Sequence, residues 1–191
     1  IDISKKIIEE DFNSDISDVF VEFNEPIAAA SIAQVHTGLT PDNQKVAIKV
    51  LRPNIEKKFN DDFKFFYFLS NLLEKLNSNL RRLKFTESIQ TMERSVQMEM
   101  DLRLEAAAIS EINSNMTDED EYIIPKIFWE KTSKNILTIE WIDGISIRDT
   151  KYLEKKGYDL KDLARIIIQS FLTQALRNGF FHADMHQGNL L

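Results

Sequence analysis

The sequence predicts an α+β fold in which a small antiparallel sheet precedes a mostly helical remainder. Three observations carry this reading. Two β-branched-rich runs, residues 32–36 and 46–50, are joined by Gly38-Leu39-Thr40-Pro41-Asp42-Asn43-Gln44, which contains turn chemistry. Residues 55–76 place Phe59, Phe63, Phe66, Leu69, Leu72, Leu73 and Leu76 at helical spacing. Residues 86–112 repeat the pattern, with Ile89, Met92, Val96, Met100, Leu104 and Ala107 as one stripe.

Taken in order, residues 4–11 predict a short polar helix and residues 19–23 an extended stretch. With the two runs that follow, the extended stretch makes a three-stranded meander, closed by Pro53 and Asn54. After the two long helices, residues 123–128 and 136–141 read as a hairpin about Thr132-Ser133-Lys134-Asn135, with Trp129 and Trp141 packing on its arms. Asp143-Gly144 is a turn. Asp159 caps a final helix whose buried face includes Leu163, Ile166, Ile167, Phe171 and Leu176, and Asn178-Gly179 ends it in the left-handed conformation. The polar breaks are residues 77–79 and 113–121, and no internal repeat is present.

Composition narrows the function. A chain of 191 residues, 43% hydrophobic, suits about one domain with a real core. A net charge of -7 argues against general nucleic-acid binding, which needs a basic surface. No apolar run approaches the roughly 18 residues that would cross a bilayer. The absence of cysteine excludes a disulfide framework and cysteine metal sites without fixing a compartment. No signal segment opens the sequence. Ile1 begins in mid-pattern and Leu191 ends within or just after a motif, so a piece of something longer is expected.

The chemistry concentrates in two places. At the C-terminal end, Gly179-Phe180-Phe181-His182-Ala183-Asp184-Met185-His186-Gln187-Gly188-Asn189 follows an amphipathic helix. An Asp with an Asn five residues later is the pattern of a kinase catalytic loop: Asp184 orients a hydroxyl or takes its proton, and Asn189 holds magnesium on nucleotide phosphates. Upstream, Val46-Ala47-Ile48-Lys49 sets a lysine on an apolar strand, where it needs water or a partner. A phosphate-binding lysine is held by a helix glutamate.

Glu99, Asp101 and Glu105 are the candidates for that role. At about 100° per residue, Asp101 and Glu105 lie roughly 40° apart on a regular helix while Glu99 points about 160° from Asp101. Glu105, flanked by Leu104 and Ala106-Ala107-Ala108, is assigned to Lys49. Between the first two strands, Ala28-Ala29-Ala30-Ser31 stands where a glycine-rich loop would lie; alanine is penalised there wherever φ would be positive. His182, Asp184 and His186 offer a rival reading as a zinc or iron site, which leaves Lys49 and the helix carboxylates unexplained. His36 reads as a half-buried strand residue.

These motifs, together with Pro26-Ile27 before the alanines, Glu99-x-Asp101 followed by Glu105-Ala106-Ala107, and Glu140-Trp141-Ile142-Asp143-Gly144, closely resemble the UbiB/ADCK (aarF-domain) family of atypical protein-kinase-like ATPases. The resemblance runs through nearly the whole chain from about Phe20. It implies a protein-kinase-like fold, with residues 1–142 as a small lobe bearing a helical insert at about 54–85, and 143–191 as the hinge and start of a large lobe. Ala28, Ala29, Ala30 and Ser31 would replace the glycine-rich loop, and Ala47, Lys49, Glu140 and Ile142 would line the nucleotide site. Lys49, Glu105 and Asp184 would be catalytic, Asn189 would bind the metal, and Glu99 and Asp101 would form the family's E-x-D pair, facing a K-x-G-Q helix.

The implied cofactors are ATP and Mg. The implied partners are nucleotide and isoprenoid lipid or lipid-biosynthesis proteins, with peripheral membrane association and no nucleic acid. The implied role is ATP hydrolysis or phosphoryl transfer supporting ubiquinone or other isoprenoid-lipid metabolism, in mitochondria or plastids in a eukaryote and at the cytoplasmic membrane face otherwise. The alternatives are a regulatory nucleotide-binding pseudokinase and a small-molecule kinase of the aminoglycoside-phosphotransferase type. Two family parts are missing from this sequence, the K-x-G-Q motif and the D-F-G-type aspartate, and Gln187 stands where the family usually has Pro.

Overall fold

A computed structural model describes residues 1–76, 80–117 and 121–191. The predicted break at 77–79, and residues 118–120 of the one at 113–121, lie outside the described residues. Two compact units form: Ile1–Ala106 with Phe128–Ile139, and Ala107–Ile127 with Glu140–Leu191.

The first unit opens with helices α1 (Asp2–Phe12) and α2 (Ile16–Val19). It continues into strands β1 (Glu22–Ala29), β2 (Ala33–Leu39) and β3 (Lys45–Leu51), and β4 (Ile136–Glu140) joins β3 to complete a four-stranded sheet in the order β1-β2-β3-β4. β1 and β3 both run antiparallel to β2. Alternation along β3 buries Val46, Ile48 and Val50 on one face, where Ile8, Val19, Phe20 and Ile136 complete the core. α1 is tied down by Asp11, which accepts from the Ser133 hydroxyl and, at 2.9 Å, from Asn135 Nδ2.

Several local expectations are corrected. Val19 is helical and β1 starts only at Glu22, because Phe20 N bonds Ile16 O and closes the helical turn. Gly38 is a strand residue and not part of the turn: a Cβ there would lie 2.4 Å from Glu22 O and 2.9 Å from Ile48 Cδ1, so only glycine lets β1 approach. The turn is made by Thr40–Gln44 bonding, with Asn43 at φ 58. Residues 123–128 form no strand beyond a bridge at Ile127, although Phe128 N still reaches Thr138 O; Trp129–Lys131 coil into a 3₁₀ turn. Asp143-Gly144 lies in an irregular stretch, and the turn falls at residues 147–148.

His36 is fully buried, not half-buried. It falls on the core face of β2, stacked on Phe23 at 4.5 Å, with Nδ1 donating to Asn24 O (3.0 Å) and Nε2 facing the Ser4 hydroxyl (3.1 Å). Burial pushes its pKa below the ordinary histidine value, against the opposing pull of the Asn24 carbonyl. A depressed folded-state pKa means the unfolded chain binds the proton more readily. The stabilisation is therefore complete above about pH 6.5 and lost as pH falls through the lowered value. Denaturant midpoints measured from pH 7.5 to 5 should show this decline in wild type and lose that component in His36→Gln; parallel curves would exclude it.

Helix α3 spans Ile55–Leu76, as its apolar spacing predicts. It packs on α4 (Phe85–Glu99), burying Phe63 and Ser70, while Phe66, Leu69, Leu72 and Leu76 of the predicted stripe stay exposed. Polar links supplement the packing: Tyr67 donates to Glu93 at 2.6 Å, and Glu74 Oε1 accepts from both the N–H and hydroxyl of Thr86 at 3.2 Å.

The second long helix is not continuous. α4 ends at Glu99, and α5 (Leu102–Asn115) begins after Met100 and Asp101. Leu102, almost fully buried, gives its N–H to Lys134 O at 2.9 Å, so the helical hydrogen-bond ladder is diverted. Asp101 accepts the Arg103 N–H at 3.2 Å and starts α5 as a cap would. Beyond the break α5 buries Leu102, Ala106 and Ile112, while Leu104 and Ala107 of the predicted stripe are exposed.

In the second unit α6 (Thr150–Lys155) and α7 (Leu160–Leu172) begin at Asp149 and Asp159, whose side chains accept from Tyr152 N and Lys161 N. α7 leads into a π turn, Thr173–Asn178, ended by Gly179 at φ 69. Predicted burial of Phe171 and Leu176 is corrected: Leu176 is 81% exposed, because the wider π turn carries it off the α7 face, and Ser170 and Gln174 are buried instead.

Candidate functional site

Lys49 stands on the β3 face opposite the core, half-buried, with Val35 as its cross-strand partner and Ala47 on the same side. Its Nζ lies 2.6 Å from Glu105 Oε2 in the first turns of α5. Ala106, fully buried beside Glu105, lets the helix pack closely. The side chains retain 28% and 43% exposure, so the pair is open to a ligand on its outer side.

A cavity of about 470 Å³ is lined by Lys49, Glu99, Asp101 and Glu105, with Ile32, Ser95 and Met98 completing its wall. The regular-helix argument that separated Glu99 from Asp101 fails here, because the break between α4 and α5 turns both toward one space. Asp101 is paired with Arg103 Nη2 at 2.6 Å and Nε at 2.9 Å, and that guanidinium holds its carboxyl below the usual range. Glu99 makes no ion pair with any described residue.

The alanine segment is the end of β1 and a tight connection. Ala28 and Ala29 pair with Val35 and Gln34, Ala30 N bonds Ala33 O at 2.9 Å, and Arg52 Nε donates to Ala30 O at 3.2 Å. The described non-glycine residues with positive φ are Asn13, Asn43, Asn54 and Lys84. None belongs to Ala28-Ala29-Ala30-Ser31, so the expected steric penalty on alanine does not arise.

In the second unit, the loop after Gly179 is organised by short-range bonds. Asp184 N donates to His182 Nδ1 (3.2 Å) and Gly188 N to His186 Nδ1 (2.8 Å), which places each neutral imidazole proton on Nε2. Asn189 Nδ2 donates to Asp184 O at 2.8 Å and lies 3.4 Å from its Oδ2. The Asp184 carboxylate is largely exposed, with His186 Nε2 at 3.6 Å. Among the described residues no trio of His, Asp or Glu is arranged to hold a metal ion, and both Nδ1 atoms of the zinc reading are committed to backbone donors. Glu140 Oε2 accepts from Lys126 N at 3.2 Å, and Ile142 is half-buried.

Sequence reasoning missed Gln174, which is fully buried and bonded to this loop. The available signal was a polar residue at the core spacing of α7, four after Ser170 and seven after Ile167.

"Probable protein kinase UbiB" of Marinobacter nauticus is 41% identical over 188 residues, 98% of this chain and 34% of that protein. The protein of the same name from Histophilus somni is 40% identical over 193 residues, covering 98% and 36%. The chain thus spans about a third of the length of these curated relatives. Among solved structures, the complex of Rv3197 with erythromycin from Mycobacterium tuberculosis superimposes with a TM-score of 0.70 at 22% identity, over 97% of this chain and 46% of the other. No described helix is long and apolar enough to cross a membrane. The family description "ABC1 atypical kinase-like domain" fits residues 2–191, and the chain belongs to that family, with its kinase-like α+β fold.

Proposed function

We propose that the protein binds Mg-ATP and hydrolyses it or transfers its phosphoryl group, supporting ubiquinone or other isoprenoid-lipid metabolism. The observation that carries this is the 2.6 Å Lys49–Glu105 pair on the open face of the sheet. A lysine so held keeps its charge at a fixed point for phosphate oxygens. In this reading residues 1–142 act as the small lobe, with 54–85 as its insert, and 143–191 as the hinge and start of the large lobe. Ala28 to Ser31, Ala47, Glu140 and Ile142 contact the nucleotide.

The donor sets suit the cofactor. Asn189 turns its Nδ2 to Asp184, which leaves its amide oxygen as the hard ligand magnesium prefers. Asp184 orients the attacking hydroxyl or water and takes its proton. Bound Mg-ATP supplies the activated phosphoryl group and neutralises its charge. Glu99 and Asp101 take a cationic partner, as the E-x-D pair does in the family resemblance. The UbiB name of the relatives supports the link to ubiquinone, and the peripheral membrane and lipid contacts are proposed on the same resemblance.

Lys49→Ala in the full-length protein tests this by calorimetric Mg-ATP binding. Affinity should fall by at least about tenfold while the thermal midpoint barely moves, because the lost contact is a partly exposed one. Unchanged affinity would remove the lysine from the nucleotide site, and substantial unfolding would make it structural. Wild-type binding without turnover would favour the pseudokinase.

A further inference from the structure

We infer that Gln174 is a positioning residue for the His182–Asn189 loop, acting through the backbone to place Asp184. This rests on the reading of Asp184 as the reacting carboxylate.

Gln174 occupies a core position. It continues the face that carries Leu163, Ile167 and Ser170 and is completely buried. An apolar side chain of that length would fill the position without polar cost. The glutamine instead spends its Oε1 on His182 N, at 3.1 Å, and leaves Nε2 as a buried side-chain atom without a partner among the described residues. A buried amide with one donor unsatisfied is a poor device for stability alone. Its one formed bond reaches the residue where the loop begins.

From there the bonds run on in series. His182 Nδ1 accepts from Asp184 N, and Asp184 O accepts from Asn189 Nδ2. Gln174 is therefore the fixed end of a chain that reaches Asp184 through its backbone and Asn189 through its side chain. The π turn supplies the anchor. It keeps Gln174 inward near its start, and near its end Asn178 Nδ2 bonds Asn115 O at 3.0 Å, so the turn is pinned at both ends. Three residues then separate Asn178 from His182, and the Gln174 bond holds the His182 N–H where the catalytic-loop motif begins.

The experiment uses the full-length protein with three variants. Gln174→Met fills the position but removes the acceptor, Gln174→Asn withdraws it by one methylene, and Gln174→Glu keeps an acceptor oxygen. ATP turnover, Mg-ATP dissociation constant and amide exchange of residues 180–190 are measured on each. Gln174→Met should lower kcat by at least about tenfold through misplacement, leave the dissociation constant within about twofold, and accelerate exchange at His182. Gln174→Glu should restore most of the kcat. Should Gln174→Met not fold, Gln174→Asn decides the same point. Wild-type exchange in the acceptor-deleted or shortened variant overturns the inference, as do equal losses in all three that track loss of folded protein. If wild type binds no Mg-ATP, the functional reading falls alone, because the exchange measurement still decides whether Gln174 holds the loop.

Discussion

Asp184→Asn in the full-length protein should lower ATP turnover by about 10²–10⁴-fold with little change in nucleotide affinity. The exchange is nearly isosteric. The bonds that shape the loop use the Asp184 backbone, its N–H to His182 Nδ1 and its carbonyl from Asn189 Nδ2, so they survive. What disappears is the carboxylate proposed as proton acceptor. Steady-state turnover and calorimetric binding, measured on the same preparation, separate the two effects. Turnover within a few-fold of wild type would mean that Asp184 takes no part in the reaction. A matched loss of affinity would mean that it holds ligand and does not assist chemistry.

The largest effect on stability is expected at Phe20→Ala, a loss of about 3–5 kcal/mol. Phe20 is 1% exposed and packs among Val19, Val46, Ile48 and Ile136, with the Lys131 ammonium 5.9 Å from its ring centroid. Truncation removes a whole ring from the layer between the N-terminal helices and the sheet. Neither side collapses easily, since α1 is also pinned by Asp11 to Ser133 and Asn135. Urea unfolding should show the midpoint falling at unchanged slope. A loss below about 1 kcal/mol would place Phe20 at the margin of the core.

The parts read correctly from sequence were those governed by near neighbours. The α3 boundaries follow from apolar spacing that starts after Pro53-Asn54, and β3 from its β-branched alternation. The Lys49–Glu105 contact was legible because small residues follow Glu105, and Ala106 is indeed buried. The break between α4 and α5 was not. The apolar period continues across Met100, while the bond that diverts the helix comes from Lys134, more than thirty residues away. The shared cavity of Glu99 and Asp101 was hidden for the same reason. At the C-terminal end the motif residues were evident, but Gln174 was passed over because periodicity counts apolar residues and this core position is polar.

The alanine connection has one more consequence. Its torsion angles lie where any L-residue can stand, so a substitution there meets no backbone strain. Serine or another small residue at Ala28, Ala29 or Ala30 should therefore be neutral for folding, whatever it does to the proposed nucleotide contact. Glycine would add only looseness to the unfolded chain, a cost of about 0.4–1 kcal/mol per site with no strain to relieve. A lineage could therefore change this segment in single steps without passing through an unstable intermediate, provided that each step stayed small.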